Sequence, residues 1–213
     1  MLIPAVDEAE PVELPRRPPP ALLAAEVPRA TVELACMAAM RPLFAAAPRG
    51  DGHPVVVLPG FTVGDTSTRY LRHFLRAKGY HVHGWRLGRN LGPTSRIVRG
   101  LEDRFAAVSE MHGRKCSVVG WSLGGTFARE IARDHPDAVR QVITLGTPFR
   151  LDSIDQLAGG PLFNALSFLY DPTAMSVDDL RAGQARLQVP STSIYSRTDG
   201  FVPWQLCDQG QGA

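Results

Sequence analysis

Apolar and polar positions along this chain alternate between two rhythms. PVVVLPGF (54–61) is a short β-branched run closed by Pro59-Gly60, the pattern of a strand buried on both faces. HVHGWRL (81–87), CSVVGW (116–121), VRQVITLG (139–146) and STSIYS (191–196) read as further strands. Between them the apolar positions take helical spacing. Tyr70, Leu71, Phe74 and Leu75 form one stripe with Gly79 near its end, and Leu101, Phe105 and Val108 form another. LGGTFAREIARD (123–134) supplies a third helix. Parallel strands need crossover connections, so this β-α-β-α order predicts an α/β fold, a mostly parallel sheet with helices on both faces. Ligands in such sheets bind at the carboxyl ends of the strands.

The chain ends depart from that rhythm. Residues 1–28 hold seven prolines, which remove amide donors and disfavour helix in the residues before them, so an extended or disordered arm is expected over 1–30. The remaining 31–213 reads as one domain. It opens on a helix carrying Val32, Ala35, Cys36 and Ala39, which Pro42 should end or kink. About 40 residues before STSIYS show no strand and form an insert at about 150–190. There Leu162, Phe163, Leu166, Leu169 and Tyr170 line one helical stripe, either as a cap with an apolar inner face or as a helix packed on the core.

Composition narrows the chemistry. At 213 residues, 44% hydrophobic and 21% charged, the chain is ordinary globular protein. A net charge of +2 with no Lys/Arg tract argues against nucleic acid as a partner. Cys36, Cys116 and Cys207 are too few for a disulfide scaffold, and their spacing makes no metal site. Cys116 reads as a small buried hydrophobe. No apolar run reaches the roughly 18–20 residues of a membrane span. The acidic, proline-broken start is unlike a secretory signal, so a cytoplasmic location is expected.

The candidate chemistry centres on Gly120-Trp121-Ser122-Leu123-Gly124, set between a strand and a helix. A serine on so sharp a turn takes a strained backbone conformation, and only glycine fits two residues to either side. Its hydroxyl then stands at the tip of the sheet beside the free amides of a helix N-terminus. As a bare pattern, G-x-S-x-G is also a connecting turn.

In this context the motif resembles the nucleophile elbow of the α/β-hydrolase family, its lipases and esterases above all, and the likeness spans about Pro54 to Trp204. It implies Ser122 as nucleophile and the backbone N–H groups of Leu123 and Phe61 as an oxyanion hole. The Phe61 loop, LPGF, resembles the family's His-Gly-x turn with proline in place of histidine. SIYSRTDGFVPW resembles the family's strand ending in an Asp-Gly-x-Val-Pro loop, which makes Asp199 the triad acid. Gly146-Thr147-Pro148 resembles a loop bordering the substrate cleft. The implied substrate is a small-molecule or lipid ester, and no cofactor or metal is implied.

The family order is Ser, then Asp or Glu, then His. Here the 14 residues after Asp199 contain no histidine. His53, His112 and His135 are expected at the opposite end of the sheet, and His73 on a flanking helix. His81 and His83 remain, on a strand two positions from that of Ser122, roughly 10 Å away. The expectation is a chain truncated relative to the family, its last strand and helix missing, with Ser122 impaired and STSIYS left as an exposed edge. The expected function is a serine hydrolase of carboxylic esters acting through an acyl-enzyme. An inactive hydrolase-fold fragment or binding module, and an acyltransferase, stay open as alternatives.

Overall fold

The computed structural model describes residues 17–151, 153–171 and 186–208. Five strands, β1 (Pro54–Leu58), β2 (His81–Gly84), β3 (Cys116–Trp121), β4 (Val139–Leu145) and β5 (Ser191–Ile194), form one sheet in the order β2-β1-β3-β4-β5. Every neighbouring pair is parallel. The helices between them are α3 (Arg69–Ala77), α4 (Ser95–His112) and α5 (Leu123–Asp134). They follow α1 (Pro20–Ala39) and α2 (Arg41–Ala46), and α6 (Gly160–Ala165) lies in the insert.

Strand side chains alternate between the two faces, which explains the continuous apolar runs. On one face Val56, Leu58, Val118 and Val142 pack with Ile97, Leu101, Phe105 and Val108 of α4 and with Phe127 and Ile131 of α5. On the other, Val55, Val57, Val82 and Val119 pack with Leu71 and Leu75 of α3. Cys116 is fully buried, and burial pushes its thiol up to about 11, the behaviour of a small core hydrophobe. β5 is the outer strand beyond β4 among the described residues.

Strand order fixes where the chemistry can be. β1 and β2 step one way across the sheet, whereas β3, β4 and β5 step the other. The turning point lies between β1 and β3, so their carboxyl-end loops diverge and leave a crevice.

The helix α1 corrects the expectation of an extended arm to residue 30. It starts at Pro20, whose missing amide is one that the first turn of a helix leaves unbonded anyway. The Ala- and Leu-rich stretch behind it favours helix strongly enough to carry Pro28 within the helix. The arm before residue 17 lies outside the described residues, as does the part of the insert at 172–185. The break at Met40, with Pro42 in the first turn of α2, falls where proline was expected to interrupt. No helix among the described residues is long and apolar enough to cross a membrane.

Candidate active site

Ser122 stands between the end of β3 and the start of α5 with φ 51° and ψ −124°. Such a left-handed conformation costs a non-glycine residue on the order of 1–3 kcal/mol. Its surroundings hold it there. The Ser122 amide donates to the Leu145 carbonyl at 2.8 Å, and its own carbonyl accepts from the Gly125 amide at 2.8 Å and the Thr147 hydroxyl at 3.0 Å. Thr147 is fully buried, which links the Gly146-Thr147-Pro148 loop directly to the elbow. Gly124 is required by close approach, because a Cβ there would lie 2.6 Å from the carbonyl oxygens of Leu58 and Pro59.

The loop after β1 comes down on the same serine. A Cβ at Gly60 would lie 3.4 Å from the Ser122 Cβ. Thr62 follows with φ 65°, so this loop is strained as well. The amides of Phe61 and Leu123 make no hydrogen bond to protein among the described residues, which leaves both as donors for an anion beside Ser122.

One residue that the sequence reading missed holds this loop. Asn90, fully buried, donates from Nδ2 to the Pro59 carbonyl at 2.9 Å and accepts from the Gly92 amide at 3.2 Å. Its backbone bonds Thr62 at 2.6 Å and Val63 at 2.8 Å. Asn90→Ala should cost about 1–3 kcal/mol, the penalty of leaving buried polar partners unpaired. Urea denaturation measures this, and unchanged stability would contradict the staple.

Asp199 lies on the loop after β5, half-buried. Its Oδ1 accepts the amides of Phe201 at 2.8 Å and Val202 at 2.9 Å, an Asx-type turn that fixes the carboxylate. Oδ2 lies 3.3 Å from where a Cβ on Gly146 would stand and has no hydrogen-bond donor among the described residues. The Gly146 amide bonds the Ile194 carbonyl at 2.8 Å, and Leu145 is the residue that receives the Ser122 amide. Serine and acid therefore flank the carboxyl end of β4, with one carboxylate oxygen free.

No imidazole joins them. His53 Nε2 is 2.7 Å from the Ser117 hydroxyl, and its Nδ1 bonds Asp51. This is a Ser-His-Asp line in its own right, at the amino end of the sheet. Ser117 and His53 are both buried, Ser117 Oγ also accepts from Gln141 at 3.3 Å, and Asp51 binds Arg140. The bonds from His53 and Arg140 hold the Asp51 carboxyl well below the usual carboxylate range. His83 Nε2 meets His112 Nε2 at 2.9 Å, at the end of α4. Burial first, then the nearby Arg104 and His112, push His83 down to about 4. His83 and Val118 pair with the same β1 residue, Val56, four positions short of Ser122, so His83 is roughly 16 Å from the serine. His135 stacks on Phe105, and His73 is exposed midway along α3. Among the described residues no group of three or more His, Cys, Asp or Glu side chains is placed to hold a metal ion.

The insert leans on the Phe61 loop. Phe163 packs on Phe61 at 5.3 Å between ring centroids and on Tyr170 at 4.8 Å. Asp171 ties the segment to the start of α4 through the Ser95 hydroxyl at 2.6 Å and the Pro93 carbonyl at 2.9 Å. The expected single apolar stripe is broken, because α6 ends at Ala165 and a 3-10 turn follows at Ser167–Leu169. Leu162 and Leu169 point outward as a result, 51% and 41% exposed. Trp121 and Phe201, next to Ser122 and two residues beyond Asp199, are exposed as well.

No family model matches the sequence, and no curated protein matches it. Solved structures do resemble it. One comes from work on LipS and LipT, two metagenome-derived lipolytic enzymes. It is 17% identical with a TM-score of 0.54, over 75% of this chain and 79% of that one. A monoacylglycerol lipase of Paleococcus ferrophilus is 17% identical with a TM-score of 0.51, over 75% and 80%. MGS-MChE2, an alpha/beta hydrolase enzyme from the sediment metagenome of the Mar Chica lagoon in Morocco, is 18% identical with a TM-score of 0.54, over 76% and 75%. With its parallel sheet, its switch point between β1 and β3 and these likenesses, the chain has the α/β-hydrolase fold.

Proposed function

We propose that this chain carries a serine-hydrolase site for carboxylic esters. Ser122 attacks the acyl carbon, the amides of Phe61 and Leu123 receive the developing oxyanion, and Asp199 orients and stabilises a protonated base. The observation that carries this reading is the strained serine at the switch point, facing a loop whose Phe61 amide is unbonded. The exposed Trp121 and Phe201 and the aromatic Phe61–Phe163–Tyr170 group favour an ester with an apolar acyl chain. The lipolytic neighbours point to the same class. Transfer of the acyl group to an acceptor other than water would use the same acyl-serine.

The six histidines all lie elsewhere, so among the described residues no imidazole serves Ser122 as a general base. Loss of the base costs on the order of a millionfold in turnover, while the oxyanion hole and binding still give roughly a thousandfold over water. A fluorophosphonate probe followed by peptide mass spectrometry tests the proposal. Slow phosphonylation on Ser122, abolished by Ser122→Ala, is the expected result. An unlabelled Ser122 at saturating probe sinks it. The same missing imidazole favours a second reading, a hydrolase-fold module that binds apolar esters without turning them over.

A further inference from the structure

The helix α1 touches the body of the protein through a narrow face. Leu22, Glu26 and Arg29, spaced i, i+4 and i+7, are half-buried, whereas Val27, Val32 and Leu34 are 76%, 62% and 50% exposed. That face lands on the three residues centred on Asp199. Glu26 Oε1 accepts the Gly200 amide at 2.6 Å. Arg29 Nη1 donates to the Thr198 carbonyl at 2.6 Å and to the Thr198 hydroxyl at 2.9 Å, and its Nη2 pairs with Glu26. Gly200 is buried, and a Cβ on it would lie 2.6 Å from the backbone of Leu22 and Leu23. The residue before Asp199 and the residue after it are thus both fastened to one helix.

We infer that α1 is a latch on the acid loop, with Glu26 and Arg29 as positioning residues for the Asp199 carboxylate. This rests on the reading of Asp199 as the acid of the site. The loop leaves the outer strand β5, with no further strand beside it among the described residues to hold it. For Oδ1 to collect the Phe201 and Val202 amides while Oδ2 stays open, the peptide groups on either side of Asp199 must be fixed in rotation. Glu26 fixes one and Arg29 fixes the other. The ion pair between them also balances the negative charge that Glu26 brings near Asp199.

The test uses the full chain and three variants: Glu26→Ala, Glu26→Gln, which keeps an oxygen acceptor, and Gly200→Val, which displaces α1 with the Glu26–Arg29 pair intact. Amide hydrogen exchange at Gly200 and the carboxyl 13C signal of Asp199 at fixed neutral pH are the readouts, with imidazole-assisted phosphonylation of Ser122 as a third. In Glu26→Ala and Gly200→Val, Gly200 should exchange about tenfold faster or more, the Asp199 signal should move, and assisted phosphonylation should slow about tenfold. Glu26→Gln should stay near the starting protein in all three. If Glu26→Ala and Gly200→Val lower the melting temperature but leave the Asp199 signal and Gly200 exchange unmoved, α1 is a structural strut and the latch is refuted. Exchange and carbon signal decide this without any reaction at Ser122. A chain that never reacts with the probe therefore fails the hydrolase proposal alone.

Discussion

Free imidazole is expected to accelerate hydrolysis of a small activated ester by this chain roughly a hundredfold or more, and only while Ser122 is present. A positioned general base contributes about 10²–10⁴ to such a step. On the proposed reading the site supplies the rest: a half-buried serine on a strained turn, two amides with no protein partner among the described residues, and a carboxylate with Oδ2 open. An imidazole lodged between Ser122 and Asp199 would take the hydroxyl proton on one nitrogen and donate to Oδ2 from the other. Only the neutral ring can do this, so the assisted rate should climb with pH through the ring's ordinary pKa of roughly 6.5–7. Imidazole also cleaves activated esters unaided, so the decisive quantity is the excess over Ser122→Ala. Asp199→Asn should remove most of that excess, because an amide cannot stabilise the imidazolium. Equal acceleration in Ser122→Ala would show that the site contributes nothing.

Gly124→Val is expected to destabilise the fold by about 3–5 kcal/mol, the range of severe backbone and overpacking defects. The added carbon would press on the carbonyls of Leu58 and Pro59 at 2.6 Å, well inside contact distance, with backbone on both sides. Neither neighbour yields cheaply. β1 is buried along its whole length, and α5 buries eight of its twelve residues. Relief therefore means prising the start of α5 away from the end of β1, which also separates the amides of Leu123 and Phe61. Gly159→Ala is the matched control, since nothing lies within 4 Å of its Cβ position and its φ is ordinary. It should change stability by less than about 0.5 kcal/mol. Urea denaturation of both variants gives the comparison, and a Gly124→Val chain as stable as the control would contradict the close contact.

The strands and their helices were legible in the sequence because they are set by local rules. Strands buried on both faces must be apolar throughout, as Val55 to Leu58 are, and helices on each side must carry the complementary stripe, as Leu101, Phe105 and Val108 do. The elbow was legible as a five-residue pattern, although only Gly120 answers a need inside it, against the backbone of Gly124 and Gly125, whereas Gly124 faces Leu58 and Pro59. What escaped depends on contacts distant in sequence. Asn90 sits in no motif, and only the fold brings its amide to Pro59, 31 residues earlier. Glu26 meets Gly200 across 174 residues. Proline counting suggested an extended arm up to residue 30, but the first turn of a helix tolerates Pro20 and a helix-favouring stretch carries Pro28. The stripe in the insert was read as one helix, whereas the chain turns after Ala165 and sends Leu162 and Leu169 outward.

The line of Asp51, His53 and Ser117 separates relay geometry from catalysis. These three groups are joined by hydrogen bonds in one line, which the proposed pair of Ser122 and Asp199 is not among the described residues. His53 and Ser117 are enclosed, Asp51 alone reaching the surface, and the Ser117 oxygen is already engaged by Gln141. At that end the same donor–acceptor chain works as a bolt, fixing the loop before β1 to the first turnings of β3 and, through Arg140, to β4. On the proposed reading a reactive serine needs access as much as a relay: Ser122 is half-buried, whereas Ser117 is enclosed. In this sheet the two requirements have been distributed to opposite poles.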